Sequence, residues 1–102
     1  MPDDLTRGAF EPHIGTRFAT TSASTATTIE LELVEVTDIG DGNRGLNFRL
    51  LFRGPRETAL EQGMVELEHP AIGTVALFIV PVGIDPAGVQ YEVVFNRLPL
   101  QP

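Results

Sequence analysis

Residues 64–81 read MVELEHPAIGTVALFIVP, and the rest of the chain is organised around them. Side chains on a strand alternate between its faces, so Val65 and Leu67 point one way while Glu66 and Glu68 point the other. That is the pattern of a half-buried strand. Val75, Leu77 and Ile79 share one face of the following run, with Ala76, Phe78 and Val80 on the opposite face. Both faces are apolar, so this strand is expected to be covered on both sides. A buried helix is the rival for a short apolar run. Its length, its β-branched content, Gly73 before it and Pro81 after it favour the strand. His69 to Gly73 supplies the turn, with φ fixed at Pro70 and a positive φ available to Gly73. A register pairing Leu67 with Val75 also pairs Val65 with Leu77 and brings the apolar faces together.

The flanking sequence repeats the strand-and-turn theme. Residues 1–12 form a polar lead-in arm whose large apolar groups are Leu5 and Phe10, anchors to the domain or to a neighbour. His13 to Thr21 alternates weakly, with Ile14, Thr16, Phe18 and Thr20 on one face, and is expected as a strand. Thr20 to Thr28 (TTSASTATT) reads as a flexible loop, or as an edge strand or exchanged arm, since Thr suits strands. From Thr28 to Thr37 the apolar parity changes: Ile29, Leu31 and Leu33, then Val34 and Val36. A one-residue shift of face predicts a β-bulge near Leu33–Val34.

Ile39 to Gly45 is a Gly-rich loop. In the strand Leu46 to Arg53, Leu46, Phe48, Leu50 and Phe52 face inward and Asn47, Arg49, Leu51 and Arg53 outward. Pairing Val36 with Phe48 sets Glu35 across from Arg49. Gly54-Pro55-Arg56 ends that strand. Glu57 to Gly63 is expected to form one helical turn closed by Gly63. Val82 to Gly88 reads as a turn, Val89 to Asn96 as the last strand and residues 97–102 as a tail. In that last strand Val94 is apolar among the outward residues. Six to seven strands at regular spacing predict a single all-β domain over residues 1–102, a small antiparallel β-barrel or β-sandwich. A barrel requires the first and last strands to meet.

Composition limits the function. Fourteen acids against seven bases give a net charge of −7. Phosphate backbones need a basic surface, so nucleic acid is not an expected partner. All seven bases are Arg, which suggests a GC-rich bacterial coding bias. There is no Cys, which removes disulfides and thiolate metal sites. No apolar run approaches the roughly 20 residues of a membrane span. The acidic N-terminus Met1-Pro2-Asp3-Asp4 lacks the features of a signal peptide, so the chain is expected to be cytoplasmic at synthesis.

A search for chemistry yields no catalytic, cofactor-binding or metal site. The two histidines, His13 and His69, lie far apart in sequence, and Glu66 and Glu68 point away from the face that His69 takes. Asp38, Asp41 and Asn43 lack the spacing and final Glu of a calcium loop. Ser22 and Ser24 have no adjoining base. The segment GDGNRG lacks the Lys and helix of a phosphate loop. The paired acids Glu30 with Glu32 and Glu66 with Glu68 read as solvated strand faces. Arg49, Arg53 and Arg56 form the local basic feature. With the outward apolar residues Leu51 and Val94 they make the candidate interface.

The segments EPHIGTRF (11–18), LELVEVTDIG (31–40), LLFRGP (50–55), LEQG (60–63), LEHPAIGTVALFIVPVG (67–83) and YEVVFNR (91–97) resemble, in order, an uncharacterised bacterial family of about a hundred residues, a domain of unknown function. The Thr20–Thr28 tract departs from its pattern, being shorter or richer in Gly in relatives. The resemblance implies a stand-alone β-rich protein encoded near phage-tail-collar-like genes. It therefore implies a structural or accessory role in a tail-like, virion-like or surface assembly. No catalytic residues are established for the family. The expected function is a non-enzymatic structural or protein-interaction module that engages a protein partner or itself. The alternative is a small-molecule-binding barrel with a cavity lined by Phe48, Phe52, Phe78, Tyr91 and Phe95.

Overall fold

The computed structural model describes residues 7–21, 28–38, 47–57 and 60–96. A short helix α1 (Arg7–Phe10) and a 3-10 turn (Glu11–His13) precede six strands. These are β1 (Arg17–Thr21), β2 (Thr28–Asp38), β3 (Asn47–Gly54), β4 (Gly63–His69), β5 (Gly73–Asp85) and β6 (Gly88–Asn96). They close into an antiparallel barrel in the order β1-β2-β3-β6-β5-β4. Two three-stranded meanders thus face each other. The seams are β3 with β6 and β1 with β4, rather than the first strand with the last.

The hairpin of β4 and β5 has the register its apolar pattern dictates, with Leu67 opposite Val75 and Val65 opposite Leu77. Its three-residue loop ends on Gly73 at φ 93°, a conformation that favours glycine. In β2 the predicted bulge is present: pairing with β3 shifts between Leu33 and Glu35. The expected register beyond it is wrong by two residues. Val36 lies opposite Leu50, Glu35 opposite Leu51, and Arg49 opposite Thr37. Apolar pairs such as Leu33 with Phe52 set this register. An exposed Glu–Arg pair, worth about 0.2–1 kcal/mol, is too weak to oppose them.

The strand β5 runs on to Asp85, through residues expected to turn. Its ladder shifts between Pro81 and Gly83, and a bulge is where a strand tolerates a proline that has no N–H to donate. The turn itself is only Pro86-Ala87. The Asp85 carboxylate accepts from the Ala87 and Gly88 N–H groups at 2.9 and 3.1 Å.

Inward side chains fill the barrel. Phe18, Leu31, Leu33, Phe48, Leu50, Phe52, Leu67, Ile79 and Tyr91 are fully buried, and Phe18 packs edge-on against Phe52 with ring centroids 5.3 Å apart. The expected strand from His13 begins only at Arg17. Ahead of it, α1 and the 3-10 turn lie across one end of the barrel. Phe10 is fully buried there, its ring centroid 5.7 Å from Phe95 and 5.9 Å from Phe48. Residues 14–16 are tied to β2: the Gly15 N–H donates to the Leu33 carbonyl and the Leu33 N–H to the Thr16 carbonyl. At the other end the connection from β3 to β4 is pinned by the Leu60 N–H donating to the Tyr91 hydroxyl at 2.8 Å. The helical turn expected over Glu57–Gly63 is not found at residues 60–63, and its centre lies outside the described residues. So do residues 39–46, which hold the expected loop Ile39–Gly45 and Leu46 of the expected strand, and residues 22–27 of the Thr/Ser/Ala tract, whose flanks Thr21 and Thr28 pair across β1 and β2.

Candidate functional site: the outer face of β4, β5, β6 and β3

One expectation fails in a way that matters for function. β5 is covered on one face only. Val75, Leu77 and Ile79 are buried, whereas Phe78 on the opposite face is 47% exposed. Directly across from it on β4 is Met64, 63% exposed. Two residues along β5, Val80 is half-buried and lies opposite Glu92 of β6. Next to Glu92 on the same side of β6 comes Val94, 52% exposed. Val94 is the cross-strand partner of Arg49 on β3, and Glu92 that of Leu51. Apolar side chains therefore mark one outward face across four neighbouring strands. Scattered exposed apolar residues are ordinary, but a contiguous set is the mark of an interaction surface.

Charges border the apolar residues: Glu66 and Glu68 are exposed on the same side of β4 as Met64. Arg49 Nη1 donates to Glu92 Oε2 at 3.3 Å, with both side chains partly exposed. On β2 Glu30 and Glu35 are exposed as well, and Glu30 lies 3.6 Å from Arg17 of β1.

Of the five sequence candidates, the structure brings Arg49, Leu51 and Val94 together on this face. Arg53 sits at the far end of β3, opposite Gln90 and Glu32, and Arg56 lies beyond the strand. Arg53 borders an open groove with Arg17, Glu30, Glu32, Pro55 and Ala87, and its buried Nε has no hydrogen-bond partner. Met64, Phe78 and Val80 were missed as surface residues. The signal was present: the register that pairs Leu67 with Val75 also places Phe78 opposite Met64, on the side of Glu66 and Glu68. The five aromatics expected to line a cavity likewise separate. Phe48, Phe52 and Tyr91 fill the interior, Phe95 stacks on Phe48 at 4.4 Å, and Phe78 is outside.

The two histidines, distant in sequence, meet at the capped end with ring centroids 4.7 Å apart. His69 is buried beside Phe18, while Glu66 and Glu68 face solvent. Its Nδ1 accepts from the Ala71 N–H at 3.0 Å, which puts the ring proton on Nε2. Nε2 then donates to Thr16 Oγ1 at 2.9 Å, and that hydroxyl donates to the His13 carbonyl at 2.6 Å. Both ring nitrogens are thus committed: Nε2 joins β4 to the 3-10 turn through Thr16, and Nδ1 holds the β4–β5 turn. Among the described residues no group of three His, Asp or Glu side chains is placed to hold a metal ion.

Burial, and secondarily the neighbouring His13, holds the His69 pKa below its ordinary 6.5. The unfolded chain therefore binds this proton more readily than the folded one. The resulting stability is complete above about pH 6.5 and declines as the pH falls below it. Urea midpoints at pH 7.5 and 5.5 should show this loss, and His69→Gln should reduce the difference between them. An equal pH dependence in wild type and variant would contradict the neutral assignment.

The described residues form a closed six-stranded antiparallel β-barrel with exposed apolar residues on its outer wall. The chain belongs to the family described as Domain of unknown function (DUF6916), which its residues 5–95 match. No curated protein and no solved structure matches it. Among the described residues no helix is long and apolar enough to cross a membrane.

Proposed function

We propose that this protein is a non-enzymatic interaction module that docks on protein through the outer face of β4, β5, β6 and β3. The carrying observation is that Phe78 and Met64, paired across β5 and β4, stand exposed on the wall of a barrel whose inward side chains are buried. Fully burying a Val, Met or Phe side chain contributes about 1.5–3 kcal/mol. An exposed pair such as Arg49–Glu92 contributes about 0–1 kcal/mol. Apolar burial therefore drives docking, and the charged pair sets its orientation. The setting that the family resemblance suggests is a tail-like or surface assembly, in which the module serves as an accessory. The structural commitment of His69 supports a non-catalytic role.

Phe78→Asp tests this reading. The side chain is half exposed and outside the core, so the variant should keep the wild-type far-UV spectrum and lose less than about 1 kcal/mol of stability. In size-exclusion chromatography of fresh cell extract the wild type is expected in a complex larger than its 11.1 kDa chain, and Phe78→Asp as the free chain. A wild type that elutes as the free chain contradicts the proposal.

A further inference from the structure

We propose that the occupant of this face is a basic protein surface, one that lays an apolar side chain against Met64 and Phe78 and sets Lys or Arg against Glu66 and Glu68. This rests on the docking function proposed above and adds the chemistry of the partner. Met64, Glu66 and Glu68 share one side of β4, because side chains two apart on a strand lie on the same face. All three are exposed, and so is Phe78 across from Met64. Glu66 lies opposite Ala76 of β5, and Glu68 lies between Thr74 of β5 and Ala19 of β1. No cross-strand neighbour therefore offers either carboxylate a cation. Neither carboxylate has an ion-pair or hydrogen-bond partner among the described residues.

Acids on the other strands have cations or donors beside them. Arg17 lies 3.6 Å from Glu30, and Arg49 lies 3.3 Å from Glu92. Glu32 is paired with Arg17 on one side and Arg53 on the other. Glu35 accepts from the Thr37 hydroxyl at 2.8 Å, and Asp85 from its own turn and from Gln90. The strands β4, β5 and β6 contain no Lys or Arg. The exposed apolar pair is thus flanked by two unmatched negative charges, and charge complementarity selects the occupant. Nucleic acid and anionic lipid carry the wrong sign. A second copy brings the same acids to the contact, and its Arg49 already meets its own Glu92. A protein that presents Lys or Arg around an apolar side chain satisfies both features at once.

A photo-crosslinking amino acid at position 78 of the full chain, activated in its native cells, tests this when the joined peptide is read by mass spectrometry. The expected peptide comes from another protein, with Lys and Arg outnumbering Asp and Glu around an apolar residue. Glu66→Gln combined with Glu68→Gln should lower the crosslinked yield about tenfold. Glu30→Gln combined with Glu35→Gln removes the same charge from β2 and should leave the yield unchanged. Raising the NaCl of fresh extract to about 0.5 M before irradiation should also lower the wild-type yield, because salt screens exposed charges. The salt series reads the same dependence without a substitution. A joined peptide in which acids equal or outnumber Lys and Arg overturns the basic partner alone and leaves the docking function standing. So does a peptide from a second copy of this chain, or a yield unmoved by the folded Glu66/Glu68 variant or by salt. No crosslinked product at all overturns the docking function, and this inference with it.

Discussion

Replacing Phe10 with Ala should lower the folding stability by about 3–5 kcal/mol, the usual cost of emptying a buried phenylalanine site. The ring is fully buried and touches three others, with centroids 5.7 Å from Phe95, 5.9 Å from Phe48 and 6.4 Å from Phe18. Those rings belong to β6, β3 and β1, so Phe10 joins strands from both meanders at the capped end. A loss of that size is a large part of the roughly 5–15 kcal/mol that holds a domain together. Chemical denaturation compared with Phe78→Ala makes the point sharply. The outer-face change should cost less than about 1 kcal/mol. Should Phe10→Ala cost as little, the segment before β1 would be a detachable arm and not part of the barrel.

Gly88→Ala should be the second most damaging change, at about 2–4 kcal/mol. Gly88 follows the Pro86-Ala87 turn with φ 148°, where side chains are strained. A methyl group added there would overlap the Gly54 carbonyl oxygen and approach Arg53 Cγ to 3.1 Å. The obstacle is backbone, so β3 and β6 would have to separate at the end of their ladder. Gly15 provides the control: its φ is 92°, but nothing lies within 4 Å of an added methyl. Gly15→Ala should carry only the conformational cost, about 1–3 kcal/mol. Equal midpoints for the two variants in urea would show that the close approach of Gly88 to Gly54 contributes nothing.

The sequence was most informative where apolar alternation and turn chemistry agreed. The β4–β5 register follows from Val65, Leu67, Val75 and Leu77 together with Gly73, and the bulge in β2 follows from the parity change at Leu33–Val34. It misled where a weak pair was given the task of a strong one, as with Glu35 and Arg49. It also misled at Pro81, expected to end the strand, which instead lies opposite Tyr91 beside a register shift. Closure was not legible, because which strands meet at the β3–β6 and β1–β4 seams depends on packing between distant segments. The helical cap was hidden for a related reason. Phe10 looks like an isolated apolar residue in a polar stretch, and its three ring partners come from three strands. The candidate face was half legible. Arg49, Leu51 and Val94 stood out as exceptions to a polar outer pattern, while Met64 and Phe78 were obscured by treating β5 as covered on both sides.

The proposed docking role requires the outer face of β4, β5, β6 and β3 to be covered by protein in the cell. A photo-crosslinking amino acid placed at position 78 tests it most directly, with position 30, an exposed site on the acidic β2 face, as the control. Docking through this face requires a discrete crosslinked product from position 78 and none from position 30. An uncrosslinked chain at position 78, or equal products from both positions, would contradict it.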